Sequence, residues 1–284
     1  MCRQARLTHC PQEQLPADRY PVSGIRTVQD ATGPGEWEKE RKADMTRKQA
    51  LITGASRGIG HAIARMLAGQ GYDLYLTCLH SRSGLTPYAK ELEETYHITC
   101  RVFQEDVGDP EAVGRIFASL DGLDVLVNNA GISHIGLLQD MSPEQWRRLM
   151  ATNLDGCFYT CRLAIPLMLH AGGGRILNIS SVWGNVGASM EVAYSASKGA
   201  VNSFTRALAK ELAPSNISVN AIACGVIDTD MNRCFDEEEQ QALIAQIPAD
   251  RMGTVQEVAA LAAQLLCSPS YLTGQIITLD GGWI

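Results

Sequence analysis

The sequence predicts an α/β domain built on an open, doubly wound parallel sheet with helices on both faces. Three observations carry that reading. From Gln49 onward, short β-branched or apolar runs alternate with longer helical patterns, the rhythm of strand–helix units in a parallel sheet. The first of these runs leads straight into a glycine-rich turn, Thr53-Gly54-Ala55-Ser56-Arg57-Gly58-Ile59-Gly60, and a helical pattern follows. Polar and small residues then fall where later strands should end, at Asp106-Val107 and Asn128-Asn129-Ala130-Gly131. In open α/β sheets, ligands bind outside the carboxyl ends of the strands.

Taken in order, seven strands are expected: Ala50–Thr53, Asp73–Leu79, Thr99–Phe103, Val125–Asn128, Arg175–Ser180, Ser218–Ala223 and Gln275–Leu279. Helices are expected between them at Ile59–Ala68, Pro87–Tyr96, Pro110–Leu120, Pro143–Leu169, Val192–Ala213, Glu237–Ala245 and Val255–Cys267. Pro166 falls late in the fourth helix and should kink or shorten it, because it lacks the backbone donor. The acidic run Asp236 to Glu239 reads as a helix start favoured by the macrodipole. Residues 1–44 differ from the rest. Proline and charge recur there without hydrophobic periodicity, which reads as a disordered extension, with Met45 as a candidate true start and the upstream part a mis-assigned leader. Residues 45–284 then form one domain.

At 284 residues, 45% of them hydrophobic, the chain can bury a substantial single core. A net charge of -7 argues against a nucleic-acid-binding surface. No apolar run approaches the roughly 18 residues that a membrane helix needs. The nine cysteines contain no C-x-x-C pair, and Cys157 and Cys161 have no further ligand at metal spacing nearby. They read as buried, reduced thiols of a cytoplasmic protein, with no metal site.

The glycine turn places Gly54, Ser56, Arg57, Gly58, Ile59 and Gly60 against a dinucleotide. Glycines allow a tight turn and close approach of backbone to a pyrophosphate, whose charge is favoured by free N–H groups at the helix start. The spacing is G-x-x-x-G-x-G. A ribose 2′-hydroxyl is usually held by an acid about twenty residues further on. Here the second strand ends Thr77-Cys78-Leu79-His80-Ser81-Arg82 with no acid. Arg57 and Arg82 supply cations for a 2′-phosphate, and the reading is NADPH, with His80 at the same edge.

Tyr194-Ser195-Ala196-Ser197-Lys198 carries the chemistry. On a helix, Tyr194 and Lys198 stack on one face. A phenol with a pKa near 10 exchanges protons poorly at neutral pH. Lowering it by about three units takes roughly 4 kcal/mol, and a fixed positive charge beside it is one route. Ser181, at the end of the fifth strand, can donate a hydrogen bond to a substrate carbonyl. Asn153 lies in a helix beside Gly156, and both residues weaken helix propensity.

With these residues on the page, the chain from Lys48 to Ile284 resembles the short-chain dehydrogenase/reductase family, whose fold is Rossmann-type. The matching set is Thr53–Gly60, Asp106, Asn128–Gly131, Asn153, Ser181, Tyr194, Lys198 and Thr229. The resemblance implies that Asp106 and Val107 touch the adenine, that Asn129, Ala130 and Gly131 flank the adenosine ribose, and that Ile227 and Thr229 contact the nicotinamide end. It implies Tyr194 as proton donor to a ketone, and Lys198 as the group that lowers the tyrosine pKa and holds the nicotinamide ribose. It further implies Ser181 orienting the carbonyl, Asn153 continuing a proton relay through water to the lysine, and a homotetramer. One departure is Cys224-Gly225 in place of the usual Pro-Gly, which is expected to leave the following loop less rigid.

Within the family, the TGASRGIG turn and the tail from Ile247 to Gly282 resemble 3-oxoacyl-[acyl-carrier-protein] reductases. Gly172 and Ser215 stand, uncharged, where that group presents basic docking residues for its acidic carrier. The segments Ile135–Met141, Ser181–Gly184, Ala188–Val192 and Asp280–Ile284 are similar to the elongation factor P 5-aminopentanone reductases, whose ketone sits on a modified lysine. That likeness makes modified elongation factor P the expected substrate and acyl carrier protein the alternative. Glu191, one turn before Tyr194, would then face an amine near the ketone. Its other reading is a first-turn glutamate favoured by the helix dipole. His134 and Trp183 are candidates for the pocket wall, with packed core positions as their alternatives. A catalytically idle dinucleotide-binding regulator is the alternative from another class, and such a protein has no chemical need for Asn153, Ser181, Tyr194 and Lys198 together.

Overall fold

The computed structural model describes residues 47–232 and 236–284. The expectations for residues 1–44 and for Met45 lie outside the described residues. Among the described residues, seven strands form one parallel sheet: β1 Gln49–Ile52, β2 Asp73–Cys78, β3 Cys100–Gln104, β4 Val125–Asn128, β5 Gly174–Ser181, β6 Ile217–Cys224 and β7 Ile276–Leu279, in the order β3-β2-β1-β4-β5-β6-β7. Because side chains alternate across a strand, neighbours in β1 feed two different cores. Ala50 and Ile52 pack on one face with Ile63, Leu67, Leu92 and Val258, while Leu51 packs on the other with Ile116, Ala164, Met168 and Leu212. Burial on both faces explains why β4 and β6 are buried at every residue.

Helices α1 Gly58–Gly69, α2 Arg82–Tyr96, α3 Pro110–Phe117 and α4 Pro143–Met150 follow the first four strands. α4 starts on a capping box in which Ser142 and Gln145 satisfy each other's backbone N–H, with Pro143 in the first turn. α2 begins five residues before the expected Pro87, and Pro87 lies inside it. The lost hydrogen bond is tolerated because Leu85, Tyr88, Ala89 and Leu92 bury that helix face.

The single long helix expected over Pro143–Leu169 is two helices joined by a π-helical turn, Ala151–Asp155, before α5 Gly156–His170. The turn forms where Asn153 and Gly156 weaken the α pattern, and π turns concentrate at functional sites. Pro166 does not end α5, which continues to His170 with Cys161, Ala164 and Met168 packed on the sheet.

A short helix that the sequence reading did not anticipate, α6 Trp183–Val186, follows β5. It packs onto α7 Val192–Leu212 so closely that a Cβ at Gly184 would lie 2.6 Å from the Lys198 carbonyl carbon. α8 Glu237–Ile244 starts on a capping box between Asp236 and Glu239, as the acidic run suggested, and α9 Val255–Cys267 starts on another between Thr254 and Glu257. Cys224 is the last residue of β6. Its carbonyl accepts from Val182 N–H at 2.9 Å, and Gly225 N–H donates to the Leu279 carbonyl at 2.9 Å. The Cys224-Gly225 step is thus tied on both sides of β6. Among the described residues, no helix is long and apolar enough to cross a membrane.

Candidate active site

The strand order reverses at β1 and β4, and a cleft of about 660 Å³ opens there at the carboxyl ends of the strands. Its floor at one end is the turn between β1 and α1. Gly54 and Gly58 take φ values of 66° and 60°, the left-handed region that favours glycine. Thr53 Oγ1 accepts from the backbone N–H of Asn129 and of Ala130, each at 3.0 Å, and the Asn129 amide donates to the carbonyls of Thr53 and Gly54 at 2.9 and 3.0 Å. A Cβ at Gly60 would lie 2.6 Å from the Gly54 carbonyl oxygen and press into that amide.

α1 opens at Arg57 without a side-chain cap and with no acid in its first turn. Its free N–H groups therefore remain open to an anion in the cleft. That is the fit a dinucleotide pyrophosphate requires.

Gly54, Ser56, Arg57, Gly58 and Ile59 line the cleft, as do His80, Asp106, Val107, Asn129, Ala130 and Gly131, and on the far side Ile227 and Thr229. Gly60 is buried behind the lining and acts by letting the turn close. The Asn129 side chain is engaged by the turn and braces the glycines. Arg82 opens α2 outside the lining, while Arg57 and His80 lie within it, as do Arg148, Glu105 and Asp106. Arg57 Nε lies 3.6 Å from Asp230 Oδ2. Burial alone would raise the carboxyl of Asp106, but hydrogen bonds from Arg148 and from Gly108 N–H hold it below the usual range.

At the other end stand Ser181, Tyr194 and Lys198. Ser181 closes β5, and its Oγ accepts from Trp183 N–H at 3.2 Å, which leaves its own proton to donate. Tyr194 lines the same end of the cleft. Lys198, buried one turn along α7, donates from Nζ to the Ile179 carbonyl at 2.8 Å and lies 5.7 Å from the centre of the Tyr194 ring.

The sequence reading expected Lys198 to lower the tyrosine pKa. The balance runs the other way here: burial holds the phenol well above its ordinary value, with the Ser181 hydrogen bond opposing it, and burial also pulls the Lys198 ammonium down. A shift in this direction favours the protonated phenol, the form a proton donor needs.

Asn153 is buried in the π turn behind the cleft wall, outside the lining. Its Oδ1 accepts from Ile132 N–H at 2.8 Å, and its Nδ2 donates to the Ile132 carbonyl at 2.9 Å and to Ser197 Oγ at 3.0 Å. The amide ties the loop after β4 to the residue beside Lys198. Trp183 lies in the lining, with its ring edge-on to Trp283 at 4.8 Å and 61°. Glu191 also lines the cleft, as the residue that precedes α7, and its side chain makes no capping bond. Burial pushes its carboxyl up, against a hydrogen bond from the Trp183 side chain. His134 lies elsewhere, in a neighbouring depression with Glu144 and Arg148, because the loop after β4 turns it away from the cleft.

A family model described as short chain dehydrogenase matches residues 48–240. The chain belongs to the short-chain dehydrogenase family. It is 39% identical over 241 residues to the 3-oxoacyl-[acyl-carrier-protein] reductase FabG of Aquifex aeolicus, covering 83% of this chain and 96% of that protein. It is 38% identical over 238 residues to the uncharacterized oxidoreductase YmfI of Bacillus subtilis, covering 83% and 98%. Among solved structures, YwfH, an NADPH-dependent reductase involved in bacilysin biosynthesis, aligns with a TM-score of 0.80 at 27% identity over 84% of this chain and 99% of that one. A metagenomic blue fluorescent protein in complex with NADPH aligns with a TM-score of 0.77 at 36% identity, over 83% and 97%.

As a short-chain dehydrogenase the chain is an oxidoreductase, and its site draws on residues that the motifs did not flag. Arg148 serves Asp106, and Thr77 Oγ1 accepts from Gly54 N–H at 3.3 Å. Trp283, Leu243 and Met231 line the cleft. Trp283 reaches it because β7 pairs with β6, bringing the chain end beside Gly225, where an added Cβ would lie 2.7 Å from Asp280 Cβ. No local sequence signal reports that return.

Proposed function

We propose that this short-chain dehydrogenase is an NADPH-dependent reductase of 3-oxoacyl thioesters. Ser181, Tyr194 and buried Lys198, lining one cleft with an uncapped helix start, carry the reading. Arg57 is assigned to the 2′-phosphate, the open first turn of α1 to the pyrophosphate, and Lys198 to the nicotinamide ribose. NADPH, when bound, supplies the hydride. Tyr194 gives its phenolic proton to the carbonyl oxygen as the carbonyl carbon receives that hydride, and the ketone becomes an alcohol. Ser181, with a lone pair occupied by Trp183 N–H, donates a hydrogen bond to the same oxygen and fixes its direction while keeping its proton.

The similarity to 3-oxoacyl-[acyl-carrier-protein] reductases supports the substrate class. So does the apolar wall of Ile135, Met231, Leu243 and the two tryptophans, which suits an acyl chain. Uncharged Gly172 and Ser215 count against docking of an acidic carrier protein, so the assignment is to the thioester and not to its carrier.

Reduction of 5-aminopentanone-modified elongation factor P is the second reading. It is favoured by Glu191, a half-buried carboxyl in the lining with no capping duty. NADPH consumption measured side by side with an acetoacetyl thioester and with the modified factor tests both. Turnover of the thioester by the unaltered chain, insensitive to Glu191→Gln, supports the first; turnover of the modified factor alone, with a raised KM in Glu191→Gln, replaces it with the second. The homotetramer and the cytoplasmic location belong to the same proposal, and sedimentation of the purified chain tests the assembly.

A further inference from the structure

The charged side chains of the cofactor edge are paired in two different ways. Glu105 is held by two hydrogen bonds from Arg115, at 3.1 and 2.7 Å, and Asp106 by Arg148. Those are close, charge-assisted bonds. Arg57 and Asp230 are looser: Nε and Oδ2 lie 3.6 Å apart, with the two side chains 72% and 34% exposed.

The position of Arg57 gives that pair its meaning. The turn that carries it follows β1, which has β2 on one side in the sheet and β4, β5 and β6 on the other. His80 and Ser81, at the end of β2, line the cleft on one side of the turn, and Thr229 and Asp230, beyond β6, line it on the other. The approach on the second side is close: a Cβ at Gly58 would come within 3.5 Å of Thr229 Cγ2. The group that reads the adenosine 2′-position comes from the end of the second strand in folds of this topology. The 2′-phosphate therefore belongs on the β2 side, and here the guanidinium is turned toward an acid on the β6 side.

We propose that Asp230 is a cofactor-discriminating residue, whose carboxylate holds Arg57 on the β6 side so that a 2′-phosphorylated dinucleotide must draw the guanidinium away while an unphosphorylated one need not. Asp230 then moderates the preference for NADPH and favours release of NADP+ after turnover. It acts through Arg57, and the inference rests on the assignment of Arg57 to the 2′-phosphate. An exposed pair of this kind is worth a few-fold in affinity, so loss of the charge should tighten NADPH binding about two- to fivefold.

The test measures dissociation constants of NADPH, NADH and 2′,5′-ADP by fluorescence or calorimetry on the full chain, for the unaltered protein, Asp230→Asn, Asp230→Ala, Arg57→Ala and the Arg57→Ala/Asp230→Asn double variant. Both Asp230 variants should bind NADPH and 2′,5′-ADP more tightly, with NADH unchanged, and the gain should vanish in the Arg57→Ala background. If Arg57→Ala leaves the NADPH-to-NADH ratio unaltered, the Arg57 assignment fails and takes the inference with it. If Arg57→Ala weakens NADPH selectively but the Asp230 variants bind it equally or less well, the inference alone is overturned. Persistence of the full gain without Arg57 overturns it too, since direct repulsion of the phosphate would then account for the effect.

Discussion

Replacement of Asn153 by Ala should cost stability and turnover together. The side chain is 1% exposed and makes three hydrogen bonds, two with the backbone of Ile132 and one with Ser197 Oγ. Ser197 keeps its own bond to the Tyr194 carbonyl at 2.7 Å, so the orphaned groups are chiefly the N–H and carbonyl of Ile132. At about 1 kcal/mol for each lost bond, the variant should be less stable by about 3 kcal/mol. For a domain of this size that is a fall of roughly 6–12 °C in Tm, at about 2–4 °C per kcal/mol. Because the same amide pins the residue next to Lys198, kcat should fall while the dinucleotide still binds. Thermal unfolding followed by circular dichroism, beside steady-state NADPH consumption, reads both quantities. A variant that melts within about 2 °C of the unaltered protein but has lost turnover would refute the bracing role and place the amide in direct service of the substrate or a water.

Three other outcomes are expected. Tyr194→Phe should reduce turnover by about 10²- to 10⁴-fold with dinucleotide affinity unchanged; equal turnover in the two proteins would remove Tyr194 as the proton donor. Gly60→Ala places a Cβ 2.6 Å from the Gly54 carbonyl oxygen, so the turn must shift and dinucleotide affinity should fall at least about tenfold, roughly 1.4 kcal/mol, in a fluorescence titration. Normal affinity there would show that the turn does not form the binding floor. In alkali, burial pushes Cys157 up to about 11, Cys100 and Cys224 up to about 12, each from 9.0, and Tyr88 from 10.0 up to about 12. The unfolded chain releases these protons first, so the stabilisation is complete below pH 9 or so and is lost as pH rises from there toward 12. Urea unfolding across that range should show falling stability, and a flat profile would contradict the burial of the thiols.

Sequence alone determined the sheet, because strands buried on both faces must be short apolar runs and their spacing left room only for crossover helices. It located the glycine turn and the Tyr194–Lys198 pair for the same reason: each is a local pattern with a chemical need for those residue types. What it could not reach depends on contacts between distant segments. Asn153 reads as a helix residue until its amide is seen spanning Ile132 and Ser197, and Arg148 reads as a surface charge until it meets Asp106. The direction of the tyrosine shift was missed because helical spacing places a charge near the phenol but says nothing of how much water either group loses. His134 and Trp183 looked alike as pocket candidates, and only the path of the loops sent one away and brought the other edge-on to Trp283. Tertiary structure decided these points because desolvation, and pairing between residues far apart in the chain, are properties of the packed sheet and are not written in any window of the sequence.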